Sequence, residues 1–167
     1  AEVSGIHVLH DRRVRRTRGN IDHLVIAPGG VFVVDAKYYS GEVHVRDVGG
    51  IFSTDERLYV GRRDCSGAAD AMRWQVDAVK AAMESVDPST STQTLSGEGS
   101  DTLPIDVTPV LCFIEAEWPI LFPPTVFRGV RLEGTRSIKN LLTRKSGLTV
   151  ETVRRIHQTL ERAFPPK

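Results

Sequence analysis

Short runs of residues that are apolar or alternate between apolar and polar with a period of two fill the beginning of the chain. They are rich in Val and Ile, which favour strands, and Pro28-Gly29-Gly30 between two of them favours an antiparallel hairpin. This part of the chain is therefore predicted to be mostly sheet. The predicted strands are residues 6–10, 21–27, 31–37 and 42–46, with a weaker one near 57–61.

Helical spacing of the apolar residues replaces this alternation after Ser66, which is suited to an N-cap position. The alanine-rich stretch that follows predicts a long helix packed on the sheet. Residues 87–104 are rich in Ser, Thr, Gly and Pro, so we expect a mobile surface loop there and not a domain boundary.

The second half of the chain resumes the same mixture of strands and helices. Strands are expected at residues 105–115 and around 125–132, and helices from about 135 to 142 and from Thr149 onward. With five or more strands and helices on either side of them, the pattern predicts an α/β fold. The length of 167 residues fits one domain spanning residues 1–167.

The composition, with 40% hydrophobic and 26% charged residues, is that of a soluble globular protein. No apolar run approaches the roughly 18 to 20 residues of a membrane span, so we expect no membrane partner. The first residues lack the pattern of a secretory signal, and a cytoplasmic location is expected. Cys65 and Cys112 form no spaced metal motif and are expected to be simple thiols.

The positive charge is concentrated in one segment, although the net charge is only +1. Five arginines lie within seven positions that are predicted to form an exposed loop. Arginine commonly contacts phosphate without reading bases, so we interpret the cluster as a nucleic-acid-binding segment, with an ordinary solvated loop as the alternative. The cluster consists of Arg12, Arg13, Arg15, Arg16 and Arg18.

Two carboxylates and a lysine are predicted to meet near the open end of the hairpin. Asp22 interrupts an apolar strand, where a lone carboxylate is costly unless it has a partner or a metal. On the next strand Asp35 and Lys37 share one face, because side chains alternate with a period of two. His23 should face the opposite side of its strand from Asp22 and is not expected to bind metal.

These residue types suit a metal-dependent hydrolase. Mg²⁺ and Mn²⁺ are typically bound by carboxylates, and Asp22, Asp35 and the backbone carbonyl of Ala36 could supply the oxygens. Lys37 could orient or deprotonate a water that attacks a phosphodiester while it stabilises the growing negative charge. The alternative is a structural salt bridge without metal or catalysis.

The segment GNIDHLVIAPGGVFVVDAKYYSG, residues 19–41, resembles the nuclease-related domain (NERD) of the PD-(D/E)XK nuclease superfamily. Asp22 matches the first acid of that family and Asp35-Ala36-Lys37 matches its (D/E)XK element. A helix with Trp74-Gln75 and a VTPVLCF strand extend the resemblance over nearly the whole chain. The resemblance implies a restriction-endonuclease-like fold, with a central mixed β-sheet flanked by helices, and a supporting catalytic role for Gln75.

One feature of the family is missing from this sequence. The family usually begins with a helix that carries a glutamate in a GxxGE-like segment, whereas this chain starts with AEVSG, and Glu2 is not a convincing replacement. We therefore expect that the N-terminal helix is missing, that a partner supplies it, or that the domain is weakly active.

The leading interpretation is a Mg²⁺- or Mn²⁺-dependent nuclease that acts on DNA, with RNA as a second substrate to consider. The alternative is a non-catalytic nucleic-acid-binding or protein-interaction module on a nuclease scaffold. A third interpretation is a role in signalling or stress response, because NERD-like domains are also found joined to kinase or helicase domains. Homo-oligomerisation or an additional domain in the full-length protein remain open alternatives.

Overall fold

A mixed sheet with helices on both faces forms the body of the protein. The computed structural model describes residues 5–15, 17, 19–86, 92–94, 102–144 and 148–167. The strands are β1 (His7–Arg13), β2 (Asn20–Ala27), β3 (Gly30–Asp47), β4 (Glu56–Val60), β5 (Arg63–Asp64), β6 (Thr92–Thr94), β7 (Thr102–Pro104), β8 (Val107–Glu117), β9 (Val126–Phe127) and β10 (Val130–Gly134). The helices are α1 (Ser66–Val86), α2 (Ser137–Thr143) and α3 (Val150–Ala163).

The main sheet has the strand order β1-β2-β3-β8-β10-β9, and it contains both parallel and antiparallel pairs. Strands β1, β2 and β3 are antiparallel neighbours, whereas β8 lies parallel to β3 and β10 lies parallel to β8. Strand β4 pairs with the second half of β3, and β5 pairs with β4. This arrangement confirms the predicted α/β fold with a central mixed sheet.

Strand β3 is one continuous element where the sequence predicted two. Its pairing with β8 shifts register between Lys37 and Ser40, so the chain bends there without leaving the sheet. Gly41 has a φ of +114°, and a Cβ at that position would lie 2.7 Å from the Cα of Gly61. Gly41 therefore allows close approach of two backbones inside the sheet.

Two hydrophobic cores lie on opposite faces of the sheet. The larger core joins Val31 and Val33 of β3 to α1 and α3, with Met72 and Ile156 fully buried. The smaller core lies beneath α2.

The strand predicted near residues 125–132 is a hairpin of β9 and β10. In place of a simple loop at 87–104, β6 pairs with β7, while residues 87–91 and 95–101 lie outside the described residues.

Side-chain oxygens accept backbone N–H groups at the starts of α1 and α3. Thr149, from which the last helix was predicted to start, is the N-cap of α3, because its hydroxyl accepts a hydrogen bond from the Thr152 N–H. Ser66 is instead the first residue of α1, and Asp64 accepts its N–H at 2.8 Å. The Ser66 hydroxyl accepts from the Leu58 N–H, so it ties α1 to β4.

The last residues of the chain lie along the outer edge of the sheet, against β1. Arg13 donates its backbone N–H to the Pro165 carbonyl at 3.0 Å, and Lys167 donates to the Asp11 carbonyl at 2.9 Å. The exposed loop predicted from Arg12 onward was therefore wrong at its start, since Arg12 and Arg13 belong to β1.

Cys65 and Cys112 are both buried and free, which agrees with the prediction of simple thiols. Within the described residues, no helix is both long and apolar enough to cross a membrane.

Replacing Gly41 by alanine should lower the free energy of unfolding by about 1 to 3 kcal/mol, because both the positive φ and the contact with Gly61 oppose a side chain. Urea denaturation followed by circular dichroism measures this change. Gly67→Ala is the matched control, since a Cβ there meets nothing within 4 Å in α1 and should be neutral or stabilising. An equal loss of unfolding free energy in Gly41→Ala and Gly67→Ala would contradict the role given to Gly41 in the bend of β3.

Candidate active site

The register of the β2–β3 hairpin brings the predicted acids to the same level of the sheet. The paired residues run from Ala27 and Gly30 at the turn to His23 and Val34. The pairing ends one residue before Asp22 and Asp35, so both acids lie at the end of the hairpin away from the turn, where the charge of Asp22 acts on Lys37. The sequence-based placement near the open end is therefore correct.

Asp35 and Lys37 form an ion pair on the face of β3 that continues the larger core. The Lys37 Nζ lies 2.8 Å from the Asp35 Oδ1, and the two side chains are 28% and 14% exposed. Burial lowers the pKa of Lys37, but the hydrogen bond and charge of Asp35, with the charges of Tyr39 and Asp22, outweigh burial and raise that pKa above 10.5. The lysine is therefore held as a cation beside the carboxylate.

Asp22 is exposed, so the expectation of a costly buried carboxylate was wrong. Its neighbour Ile21 is fully buried in the larger core, so only the Asp22 side chain turns to solvent at this point of the strand. Asn20 Nδ2 donates to the Asp22 Oδ1 and to the Asp11 Oδ1, at 3.1 Å in each case. Asn20 thus holds Asp22 in place and connects it to a third acid on β1.

The Asp35 carboxylate has the features expected of a metal ligand. Its Oδ1 is fully buried, and the described residues provide it with no partner besides the Lys37 ammonium at 2.8 Å. A carboxylate oxygen with one such contact keeps a lone pair free for a cation. Ala36 pairs with Cys112 of β8, which fixes the backbone between Asp35 and Lys37.

The metal-binding capacity of the site rests on few ligands. No group of three or more His, Cys, Asp or Glu residues is placed to hold a metal in the part of the chain that the structure describes. Asp22 and Asp35 can thus supply two carboxylates, with water and substrate oxygens completing the coordination. That pattern suits Mg²⁺, which usually binds through one or two carboxylates and keeps several waters.

Gln75 makes no hydrogen bond with Asp22, Asp35 or Lys37 within the described residues. It is half-buried on α1, and the ring of the preceding residue, Trp74, covers Gly19 so closely that a Cβ there would overlap it. Because Gly19 directly precedes β2, α1 passes beside this end of the hairpin at Trp74, the residue before Gln75.

The arginine cluster divides into residues with different surroundings. Arg12 is half-buried, and its Nη1 donates to the Phe164 carbonyl at 3.4 Å, so its side chain contacts the segment that follows α3. Arg13 and Arg15 are exposed and line a cavity next to Asn20. Arg16 and Arg18 lie outside the described residues.

His23 points away from Asp22, as predicted. It pairs with Val34, and its Nδ1 lies 2.9 Å from the Nδ1 of His10 on β1.

Sequence reasoning did not single out Asn20, Asp11 or Tyr39. Asn20 precedes Asp22 by two residues on the same strand, so the period-two rule could have placed it beside that acid. Asp11 reaches the site through the register of β1 against β2. Tyr39, whose ring lies 4.5 Å from the Arg63 guanidinium, follows the bulge in β3, where alternation no longer predicts the face.

Comparison with known families agrees with this geometry. The family model for the nuclease-related domain, NERD, matches residues 1–114. The chain therefore belongs to the NERD family, and the expected membership is confirmed. The match ends within β8, so it is shorter than the nearly complete coverage that the sequence suggested. Searches of curated proteins and of solved structures gave no significant match.

Asp35→Asn should lower the pKa of Lys37, because burial would then be opposed by much less negative charge. Titration of the ¹³C-labelled lysine Cε by NMR, in EDTA, measures the change. Asp106→Asn is the control, since it removes the ion-pair partner of the exposed Lys80 and should leave Lys37 unchanged. An unaltered Lys37 pKa in Asp35→Asn would show that the ion pair does not govern this lysine.

Proposed function

We propose that this domain is a nuclease that hydrolyses phosphodiester bonds of DNA with the help of Mg²⁺ or Mn²⁺. The observation that carries the proposal is the buried Asp35 Oδ1, for which the described residues provide no partner besides the Lys37 ammonium at 2.8 Å, with a second acid, Asp22, at the same end of the hairpin. Membership of the nuclease-related family supports the same chemistry.

In this proposal Asp22 and Asp35 are the metal-binding carboxylates, with the Ala36 carbonyl as an additional oxygen. A bound divalent ion would lower the pKa of water and polarise the phosphate. The attacking water gives up one proton to solvent as its oxygen forms a bond to phosphorus, the bond to the leaving oxygen breaks, and that oxygen takes up a proton from solvent. Lys37 orients the water and stabilises the charge that develops on the phosphate oxygens.

The surrounding residues would support these steps. Asn20 fixes one oxygen of Asp22 through its 3.1 Å hydrogen bond, which limits the rotation of that carboxylate. Gln75 is assigned a supporting role at the edge of the site, on the basis of its position on α1 beside the hairpin end. DNA as the preferred substrate and a cytoplasmic location stay predictions.

A non-catalytic nucleic-acid-binding module is the second candidate function. The observation in its favour is that the described residues offer no group of three metal-binding side chains. Two carboxylates bind divalent ions weakly unless substrate phosphates complete the coordination. Cleavage and binding must therefore be measured separately.

Lys37→Ala should reduce cleavage by about a hundredfold or more, because a positioned catalytic group typically contributes 10²- to 10⁴-fold. The assay follows circular, linear and single-stranded DNA, and RNA, on gels in Mg²⁺, Mn²⁺ or EDTA at fixed salt. Lys80→Ala is the matched control, since Lys80 is an exposed lysine on α1 that pairs with Asp106. It should cleave like the wild type.

The outcomes separate the two candidate functions. Cleavage that requires metal and is lost in Lys37→Ala supports the nuclease. Cleavage that persists in EDTA, or in Lys37→Ala at the wild-type rate, contradicts the assigned site. Binding of DNA without cleavage by the wild type, under all metal conditions, favours the non-catalytic module.

A further inference from the structure

A basic cleft adjoins the candidate active site, and the end of the chain forms one of its walls. The cavity has a volume of about 440 Å³. Three of its lining residues are cationic and come from both ends of the sequence. The lining consists of Arg13, Val14, Arg15, Thr17, Gly19, Asn20, Pro165 and Lys167.

Backbone hydrogen bonds fix this wall of the cleft. Phe164 is 3% exposed and anchors the segment in the larger core. The Pro165 carbonyl then accepts the Arg13 N–H, and the Lys167 N–H donates to Asp11. These contacts bring the Lys167 side chain to the two arginines, although more than 150 residues separate them in the sequence.

The cations of the cleft lack counter-charges. Arg13, Arg15 and Lys167 form no ion pair within 4 Å among the described residues, whereas Arg57 and Arg128 pair with acids. Like charges gathered in a cavity repel each other, and an anion removes that repulsion. Asp11 lies beside these cations in sequence, but its Oδ1 already accepts a hydrogen bond from the Asn20 Nδ2.

The cleft and the candidate active site share Asn20. This residue lines the cleft and also donates to the Asp22 Oδ1 at 3.1 Å. An anion in the cleft would therefore lie beside the proposed metal-binding acids. A nucleic acid carries regularly spaced phosphates, so one phosphate at the acids places a neighbour within reach of the cleft.

We propose that Arg13, Arg15 and Lys167 bind the phosphate backbone of substrate DNA next to the bond to be cleaved, with residues 164–167 as a substrate-binding segment. This inference rests on the proposed function, because it takes nucleic acid as the substrate. It adds a segment that lies beyond the residues matched by the family.

Lys167→Gln should weaken binding of a short fluorescein-labelled DNA duplex by roughly threefold to tenfold, and it should reduce the slope of log K against log salt by about 0.9, the value for one duplex phosphate contact. Fluorescence anisotropy in EDTA measures both quantities without hydrolysis. Lys167→Arg keeps the charge and should retain the wild-type slope. Lys139→Gln, at an exposed lysine on α2, is the matched control.

Arg13→Gln and Arg15→Gln should show the same loss of slope, since both side chains are exposed and their replacement keeps the backbone hydrogen bonds. Unchanged melting temperatures show that the variants are folded. The inference is overturned if Lys167→Gln matches Lys139→Gln in affinity and slope. It is also overturned if the wild type binds inorganic pyrophosphate at the cleft but not DNA.

Failure of this inference can be told apart from failure of the proposed function. If the slope falls in Lys167→Gln but no metal supports cleavage by the wild type, the cleft binds phosphates and the hydrolytic function is wrong. If cleavage requires metal and Lys37 while the cleft variants bind DNA like the wild type, the nuclease stands and the cleft has no part in it.

Discussion

Strand β3 is the element on which the rest of the structure depends. Along its first half, one edge pairs with β2 in antiparallel and the other edge pairs with β8 in parallel. The two faces of such a central strand are covered by the rest of the protein. Val33 packs in the larger core and Val34 in the smaller one. Asp35 follows these two valines directly and is the first charged residue of the strand. A rigid, doubly paired strand therefore carries the ion pair of the candidate site and limits its movement.

The parts of the fold that depend on local sequence signals could be predicted. The hairpin followed from two β-branched runs around a Pro-Gly-Gly turn, and its register then placed Asp22 and Asp35 at one level. The period of two was enough to put Asp35 and Lys37 on a common face, where they form an ion pair. Helix α1 followed from its helical spacing and alanine content.

The parts that depend on distant contacts could not be predicted. The continuity of β3 through Gly41 requires the approach of Gly61, which no local pattern shows. Ser66 is a good N-cap residue by type, but its hydroxyl is used by β4. The surroundings of Arg12 are set by Phe164, at the other end of the chain. Each error reflects a tertiary contact that overrides a local preference.

The charges around the site explain why acids and basic residues must lie so close together. A phosphate that approached Asp22 and Asp35 would meet two carboxylates. Two unit charges of the same sign 4 Å apart repel each other by about 4 kcal/mol at an effective dielectric constant of 20. Lys37 offsets part of this repulsion but is already paired with Asp35. A divalent ion at the acids would offset more, and the cations at Arg13, Arg15 and Lys167 attract the neighbouring phosphate. A net charge of +1 conceals this arrangement, because opposite charges that cancel in the total are separated in space.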